Sequence, residues 1–516
     1  MTERSPDNSY PAAPDPSVTA APAFTVAEMV RATGGTLVIG DPTQSIRVGG
    51  TGGSARGPRA HRISIDSRTL RRGDVFFAIK GERFDGHCYL NESLKRGAAA
   101  CFVSNLPEDL AVSSTAYGAI IRVADSKKAL GDLALAYREK YGSEVRRAGI
   151  SGSCGKTTVK EMTAQILRGA WPTVQSPGNF NNDIGCPLSI FRILPEHRFG
   201  VFEIGASAPN EVGRLARIVA PHAAAVTNIS LEHTATFGTL DQIAAGESEI
   251  LDELPPGGTA VLPRDDSYYE FLKSRVGSGR TALNFGFSPD ANVSASRVSL
   301  WPGPVSFRLT HRDGSAGGRV IEERDCVLPV PGRFNVANAC AAAALCLALG
   351  TSLERIAAGL AEYRPPAMRF EVLTLKNNAV LVNDSYNANP GSMRSSLESF
   401  VDAFPNRRLG AVLGDMLELG EISRREHQLL GKYLAGLPFE KILLHGPQSR
   451  FTYEGAKSHF AGEKSISYCP DRETLMREAE HLVQPGNAVL FKASRGVRLE
   501  EIVERLTEKF GAGLRV

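Results

Sequence analysis

The sequence predicts an α/β protein of three domains: a small α/β domain, a central parallel-sheet domain carrying a phosphate loop, and a C-terminal doubly wound, Rossmann-like domain. Three observations carry this. The chain has 516 residues, room for roughly three domains at ~150 residues each. From Lys127 to about Tyr363, short apolar runs ("RAGI", "GVFEIGA", "AAAVTNI") are each followed by a polar loop and a helical pattern, the alternation of a parallel sheet with crossover helices. From Phe370 a second alternation sets "AVLVNDS", "RRLGAVLGD", "KILLHG" and "AVLFKAS" between amphipathic helices.

In chain order, residues 1–22 are rich in Pro, Ala, Ser and Asp and hold almost nothing to bury, which predicts a disordered tail. The first domain is expected over 23–125. It opens with a helix in which Thr25 and Glu28 have capping-box spacing, Phe24 and Met29 can form the flanking staple, and Gly34 can end the helix. The glycine-rich "VGGTGGSARGP" reads as a mobile loop, and Ile63 to Val103 as a small α/β unit. The central domain is expected over 126–365, with short strands and Gly-rich turns between Asp290 and Pro331 suggesting an added β-hairpin region. The C-terminal domain is expected over 366–516.

Composition narrows the function. A formal charge of +3 and 42% hydrophobic residues describe a folded protein close to neutrality, and no Lys/Arg block with interleaved aromatics is present, so nucleic acid is not the expected partner. Eight cysteines lie scattered without C-x-x-C spacing, which fits free thiols in a reducing compartment. No apolar run reaches the ~18 residues needed to span a bilayer, and the N-terminus lacks the apolar core of a secretory signal. A cytoplasmic protein with a small substrate and no membrane association is expected.

The stretch "GISGSCGKTTVKEM", Gly149 to Met162, carries the chemistry. Gly152 and Gly155 let the backbone of Ser153 and Cys154 turn its N–H groups inward as an anion nest, and Lys156 adds a mobile positive charge. Thr157, followed by Thr158, can ligate magnesium. Val159, Met162 and Ile166 give the following helix a packing face, so phosphates would lie at its positive end. Ile150 stands where the usual pattern has its first glycine. The alternative is a tight glycine turn with a surface lysine. ATP is the expected ligand.

Glu203 ends the run "GVFEIGA", where an open parallel sheet places ligand-facing groups, and so can approach the same magnesium; a buried structural carboxylate is the alternative. His233 follows "AAAVTNI" past another strand end and, taken alone, would equally suit a solvent-facing loop.

These residues sit among the segments "SPGNFNNDIGCPLSI", "FEIGASAPNEVGRLARIVAP", "NISLEHTATFG", "PGRFNVANACAAAALCLALG", "NDSYNANPGSM", "GDMLELG" and "KASRG". In this order they resemble the Mur ligases, specifically the dipeptide-adding branch, over roughly Phe24 to Leu506. The family's shorter G-x-x-G-K-T loop accounts for the missing glycine. The resemblance implies an enzyme that uses ATP to activate the carboxylate of a UDP-N-acetylmuramoyl-tripeptide and joins it to D-alanyl-D-alanine through an acyl phosphate. It further implies two Mg²⁺ ions, with Thr157 and Glu203 as ligands of the first and His233 of the second. Lys156 would neutralise charge in transfer, Asn338 contact adenine, and Arg369 and Asp384 close over phosphate and ribose. Ser67 and Arg68 resemble uridine contacts, although a turn packed on its own strand is the alternative. Asn181 and Asn182 resemble contacts to the sugar-peptide, and Tyr386, Asn387 and Asn389 lie where dipeptide and nucleotide would meet. A monomer is expected, since no large apolar patch is legible.

Two positions depart from the family. In "LDQIAAGESEIL" the family's dipeptide-adding members usually carry a lysine, converted by CO₂ to a carbamate, where this chain has Glu247. Leu240, Ile243, Ala244, Ile250 and Leu251 form an apolar stripe containing Glu247, so its carboxylate is expected to point inward and to replace the carbamate as a catalytic charge. The alternative is a partly exposed Glu247 beside a weakened metal site. Phe334 replaces a frequent histidine in "GRFNV", with a change of packing expected. The diaminopimelate- or lysine-adding Mur ligases would show D-Y-A-H-T-P in place of "DSYNANP". Folylpolyglutamate synthetase would not need "DSRTLRRGD", and a scaffold without ligase activity is suggested only by Glu247.

Overall fold

The computed structural model describes residues 22–49, 62–82, 84–108, 110, 118–300, 304–314, 318–459 and 465–515. The expected tail lies outside the described residues apart from Pro22, as does the glycine-rich loop apart from Val48 and Gly49. The chain divides into two compact units: residues 1–147, 171–202 and 217–219, and residues 148–170, 203–216 and 220–516.

The first unit holds a five-stranded sheet in the order Thr36–Ile39, Ala119–Arg122, Ala100–Val103, Val75–Phe77, Ile63–Ser64, parallel except for its first strand. Its inner strands are buried along their length and so read as unbroken apolar runs rather than alternating ones. The opening helix, Val26–Thr33, has both bonds of the expected capping box between Thr25 and Glu28 and ends on Gly34 at φ +63°. Leu70, Phe76, Leu90, Cys101 and Ile120 pack as one core.

In the second unit, strands of the central sheet run Val320–Leu328, Val305–Arg312, Val293–Ser299, Thr281–Gly286, Thr259–Pro263, Ala223–Val226, Arg146–Ser151. The last five are parallel, and the first three form the antiparallel extension expected from the turn-rich text after Asp290. Helix Arg333–Ala348 is apolar almost all round because it is buried between this sheet and other helices. The C-terminal sheet runs Ser465–Cys469, Phe439–His445, Arg408–Gly414, Asn487–Lys492, Val380–Asn383, Glu371–Leu375, Ala512–Arg515. Its first five strands are parallel. Apolar clusters, one around Phe400 and Leu413, the other around Leu443 and Phe491, cover its two faces, as a doubly wound sheet requires. Among the described residues no helix is long and apolar enough to cross a membrane.

Candidate active site at the phosphate loop

Strand Arg146–Ser151 is buried from Arg147 onward and delivers the chain into Gly152–Gly155, after which helix Lys156–Arg168 begins. Gly152 (φ +114°) and Gly155 (φ +85°) adopt backbone conformations that L side chains rarely reach. Space demands glycine as well: a Cβ on Gly152 would lie 2.3 Å from Thr227 Oγ1, and one on Gly155 2.4 Å from Asn338 Oδ1. The loop is braced from the next strand end, where the Asn228 carbonyl accepts Ser153 N–H at 3.0 Å and its Oδ1 accepts Cys154 N–H at 2.9 Å. Lys156 Nζ folds back onto the Gly152 carbonyl.

Three buried carboxylates surround this lysine. Glu247, 1% exposed, accepts the Gly152 N–H at 2.6 Å, while its own backbone carbonyl accepts Ser151 Oγ–H at 2.8 Å. The expectation of an inward carboxylate holds, and the partly exposed alternative does not, because Glu247 falls on the packed face of helix Leu240–Asp252. Glu232 lies 3.5 Å from Lys156 Nζ. Burial, opposed by Lys156 and reinforced by the adjacent Glu247, lifts its carboxyl to about 8. Glu203, at the end of strand Phe199–Glu203, is 2% exposed and 3.8 Å from Lys160 Nζ. Burial works against the charge on Lys156, but Glu232, Glu247 and Glu203 together outweigh it and raise its pKa.

His233 precedes the short helix Thr234–Phe237 in a left-handed conformation, φ +46°. Its Nδ1 lies 2.6 Å from Glu418 Oε2. That contact, against burial and with help from Glu232, raises the imidazole pKa. The lysine, the three acids and His233 therefore form one electrostatic cluster.

The other expected nucleotide residues of this unit gather around the cluster. Thr157 Oγ1 accepts from Arg369 at 3.0 Å, and the Arg369 guanidinium stacks on Tyr386 at 3.9 Å. Asp384 accepts from Lys492 Nζ at 2.6 Å and Phe370 N–H at 3.1 Å, so a protein cation and an amide already hold this carboxylate. Asn387 contributes its carbonyl to the same lysine at 3.2 Å. Asn389 caps helix Pro390–Ala403, and its Nδ2 donates to Cys154 Sγ at 3.2 Å; its amide joins the phosphate loop to the start of that helix. Phe334 packs edge-on against Phe370, with ring centroids 5.4 Å apart. Thr158 is buried on the first turn of its helix.

In the first unit, Ser67 is buried in a 3₁₀ turn, whereas the Arg68 side chain is 85% exposed and paired with Asp66 at 2.9 Å. Asn182 Oδ1 accepts the N–H groups of Ile184 and Gly185, just where the helix Gly185–Ile190 begins. The Asn181 N–H donates to the Asn179 carbonyl at 2.7 Å.

The Mur ligase middle domain model matches residues 150–346, the Mur ligase glutamate ligase domain model 368–495, and the Mur ligase family catalytic domain model 59–138. UDP-N-acetylmuramoyl-tripeptide–D-alanyl-D-alanine ligase of Escherichia coli K12 is 34% identical over 453 residues, 86% of this chain and 93% of the relative. The chain belongs to the Mur ligase family. The enzyme of the same name from Bacillus subtilis is 32% identical over 87% of this chain and 93% of its own length. A crystal structure of MurF from Acinetobacter baumannii superposes with a TM-score of 0.82 at 32% identity, covering 95% of this chain and 99% of that one. MurF ligase from Thermotoga maritima, solved in complex with ADP, gives a TM-score of 0.75 at 28% identity, over 87% and 98%.

As an ATP-dependent Mur ligase, the chain presents a donor set that can be tested against magnesium. Among the described residues no three His, Cys, Asp or Glu side chains form a self-sufficient metal cage. Magnesium does not require one, since it is held by one or two carboxylates together with phosphates. Glu203 and Glu247 beside a phosphate loop would add their charge to that of a nucleotide, which a divalent cation would offset, so the residues fit the ion. Sequence reasoning missed Glu232, Lys160, Lys492 and Glu418. Lys160 alone left a legible signal: it is one helical turn past Lys156 and is buried with Val159 and Met162.

Proposed function

We propose that this Mur ligase adds D-alanyl-D-alanine to UDP-N-acetylmuramoyl-tripeptide in peptidoglycan precursor synthesis, working as a monomer in the cytoplasm. The observation that carries the reading is Lys156 held among Glu203, Glu232 and Glu247 at a phosphate loop. It stands in a chain about a third identical, over most of its length, to enzymes named for that reaction.

The tripeptide carboxylate is a poor acyl donor, so one of its oxygens attacks the γ-phosphorus of ATP, giving an acyl phosphate and ADP. The dipeptide amine then attacks the acyl carbon, the C–O bond to phosphate breaks, and the amine releases a proton as the amide forms. Lys156 and the first-turn N–H groups of helix Lys156–Arg168 hold the phosphates and meet the charge that spreads over the transferred oxygens, whereas the expected inward N–H groups of Gly152, Ser153 and Cys154 are taken by Glu247 and Asn228. Glu203, His233 and the Thr157 hydroxyl would hold the divalent ions, and Glu247 would supply as a side chain the negative charge that a carbamate supplies in relatives. Two bound Mg²⁺ ions would supply positive charge that offsets the repulsion between the phosphates and the acceptor carboxylate. Asn338, at Gly155, suits the adenine; Arg369, stacked on Tyr386, suits closure over phosphate. Ser67, Arg68, Asn181 and Asn182 suit the UDP-sugar end.

The test is phosphate release from ATP. It is expected only when the UDP-sugar tripeptide and D-alanyl-D-alanine are both present; ATP binding without release would replace this reading with a nucleotide-binding scaffold. Tripeptides ending in lysine or in diaminopimelate, compared in the same assay, identify the acceptor.

A further inference from the structure

The segment Asp415–Gly420, in the glutamate ligase domain match, is fixed at successive residues. Asp415 Oδ1 accepts Ser449 N–H at 2.7 Å and Ser449 Oγ–H at 2.8 Å. Met416 N–H donates to His427 Nε2 at 3.1 Å, and Leu417 N–H to Ser494 Oγ at 2.9 Å. Held this way, the chain turns through Glu418 at φ +65° and Gly420 at φ +54°. The segment then seats on the helix that His233 begins. The Glu418 carbonyl accepts Ala235 N–H at 3.3 Å, the Leu419 carbonyl accepts Thr234 Oγ1–H at 2.9 Å, and a Cβ on Gly420 would stand 3.0 Å from Ala235 Cα.

Two left-handed, non-glycine residues thus face each other, His233 from the middle-domain match and Glu418 from the glutamate ligase match, joined through Nδ1 and Oε2 at 2.6 Å. Such conformations are costly and concentrate where function needs a side chain aimed. The pair adds little stability, because the Glu418 side chain is 63% exposed and exposed ion pairs contribute little. Its consequence is orientation. With Nδ1–H donated to Glu418, the ring turns Nε2 the other way, and Nε2 has no hydrogen-bond partner among the described residues. A histidine ligand needs that arrangement: one nitrogen holds a carboxylate and the other presents its lone pair.

We propose that Glu418 is a positioning residue for His233, so that the imidazole is aimed for ion binding only while Asp415–Gly420 is seated on Thr234–Phe237. This rests on reading His233 as a magnesium-facing residue. It makes seating of the C-terminal segment a condition for a complete site, so that phosphoryl transfer waits for it.

The test reads the ring as well as turnover. In magnesium-free protein, ¹⁵N-histidine NMR is expected to find His233 protonated at Nδ1. Glu418→Ala is expected to lose that preference and Glu418→Gln, whose amide oxygen still accepts, to keep it. In phosphate-release assays Glu418→Ala should raise the magnesium concentration for half-maximal rate by ~10-fold, the usual consequence of removing the partner of a ligating histidine. KM for ATP should stay unchanged, and Glu418→Gln should restore most of the loss. A wild-type ring signal and magnesium requirement in Glu418→Ala would overturn the proposal. If His233→Ala itself leaves the magnesium requirement unchanged while Glu418→Ala still shifts the ring, the assignment of His233 to the ion fails instead, and the positioning role falls with it.

Discussion

Glu247 reaches into the phosphate loop from a helix 95 residues later in the chain and accepts the Gly152 N–H at 2.6 Å. A carboxylate thus occupies one of the loop's inward donors, with Glu232 beside it. If this charge does the work of a carbamate, turnover should not depend on added bicarbonate. Glu247→Gln should lower kcat by ~10²-fold, the scale of losing one preorganised electrostatic group. Glu247→Lys should regain activity only when bicarbonate is supplied. Undiminished turnover in the Gln variant removes the role.

Gly155 combines φ +85° with an Asn338 oxygen 2.4 Å from where a Cβ would sit, whereas Gly257 has φ +78° and open space around it. Alanine at either position should cost about 1–3 kcal/mol for the left-handed conformation. Gly155→Ala alone should also displace Asn338 and weaken ATP binding by ~10-fold or more, taking 1.4 kcal/mol per decade. Calorimetric titration of both variants with ATP checks this; equal ATP affinity in the two would mean that Asn338 and the loop are not coupled.

What could be read from the sequence follows from how local each constraint is. The phosphate loop was legible because strand, glycine turn and helix are consecutive and each glycine has a backbone reason to be there. Glu247 was legible as an inward carboxylate because the stripe of Ile243, Ala244, Ile250 and Leu251 fixes the buried face of its helix. Its partner Gly152 was not, since nothing in a helical period names the element it packs against. The acid Glu232 stands beside His233 in "SLEHT", yet loop text has no period that separates a buried carboxylate from a solvated one. Glu418 escaped for a topological reason: the bonds holding its segment come from Ser449, His427 and Ser494, dispersed along the C-terminal sequence. The C-terminal strands Glu371–Leu375 and Ala512–Arg515 were missed because they pair antiparallel at the sheet edge, outside the strand–helix alternation.

Lys492 is 3% exposed and donates to Asp384 Oδ2 at 2.6 Å and to the Asn387 carbonyl at 3.2 Å. Breaking a buried pair from one side leaves an uncompensated charge, so Lys492→Met should destabilise by about 3–5 kcal/mol. Adding Asp384→Asn to Lys492→Met should recover part of that loss, because the stranded carboxylate is gone. Urea unfolding of the single and double variants measures the coupling; simple additivity would mean that Asp384 is held by Phe370 N–H and needs no cation.

His427 is fully buried, with Met416 N–H donating to Nε2 at 3.1 Å and Nδ1 donating to the Ser423 carbonyl at 2.8 Å. A proton on Nε2 would face the Met416 N–H, and burial holds the imidazole pKa below its ordinary value against the opposing pull of Ser423 and Asp415. Above the unfolded-chain value of ~6.5 both states are neutral and the stabilisation is complete. As pH falls through ~6.5 the unfolded chain takes up a proton that the fold refuses, and stability is lost until the lower folded value is reached. Thermal unfolding followed between about pH 7.5 and 5.5 should therefore show a fall in Tm on acidification that is shallower in His427→Gln, which has no proton to gain. Tm–pH profiles that run parallel for the two proteins would show that burial of this ring does not set the acid loss of stability.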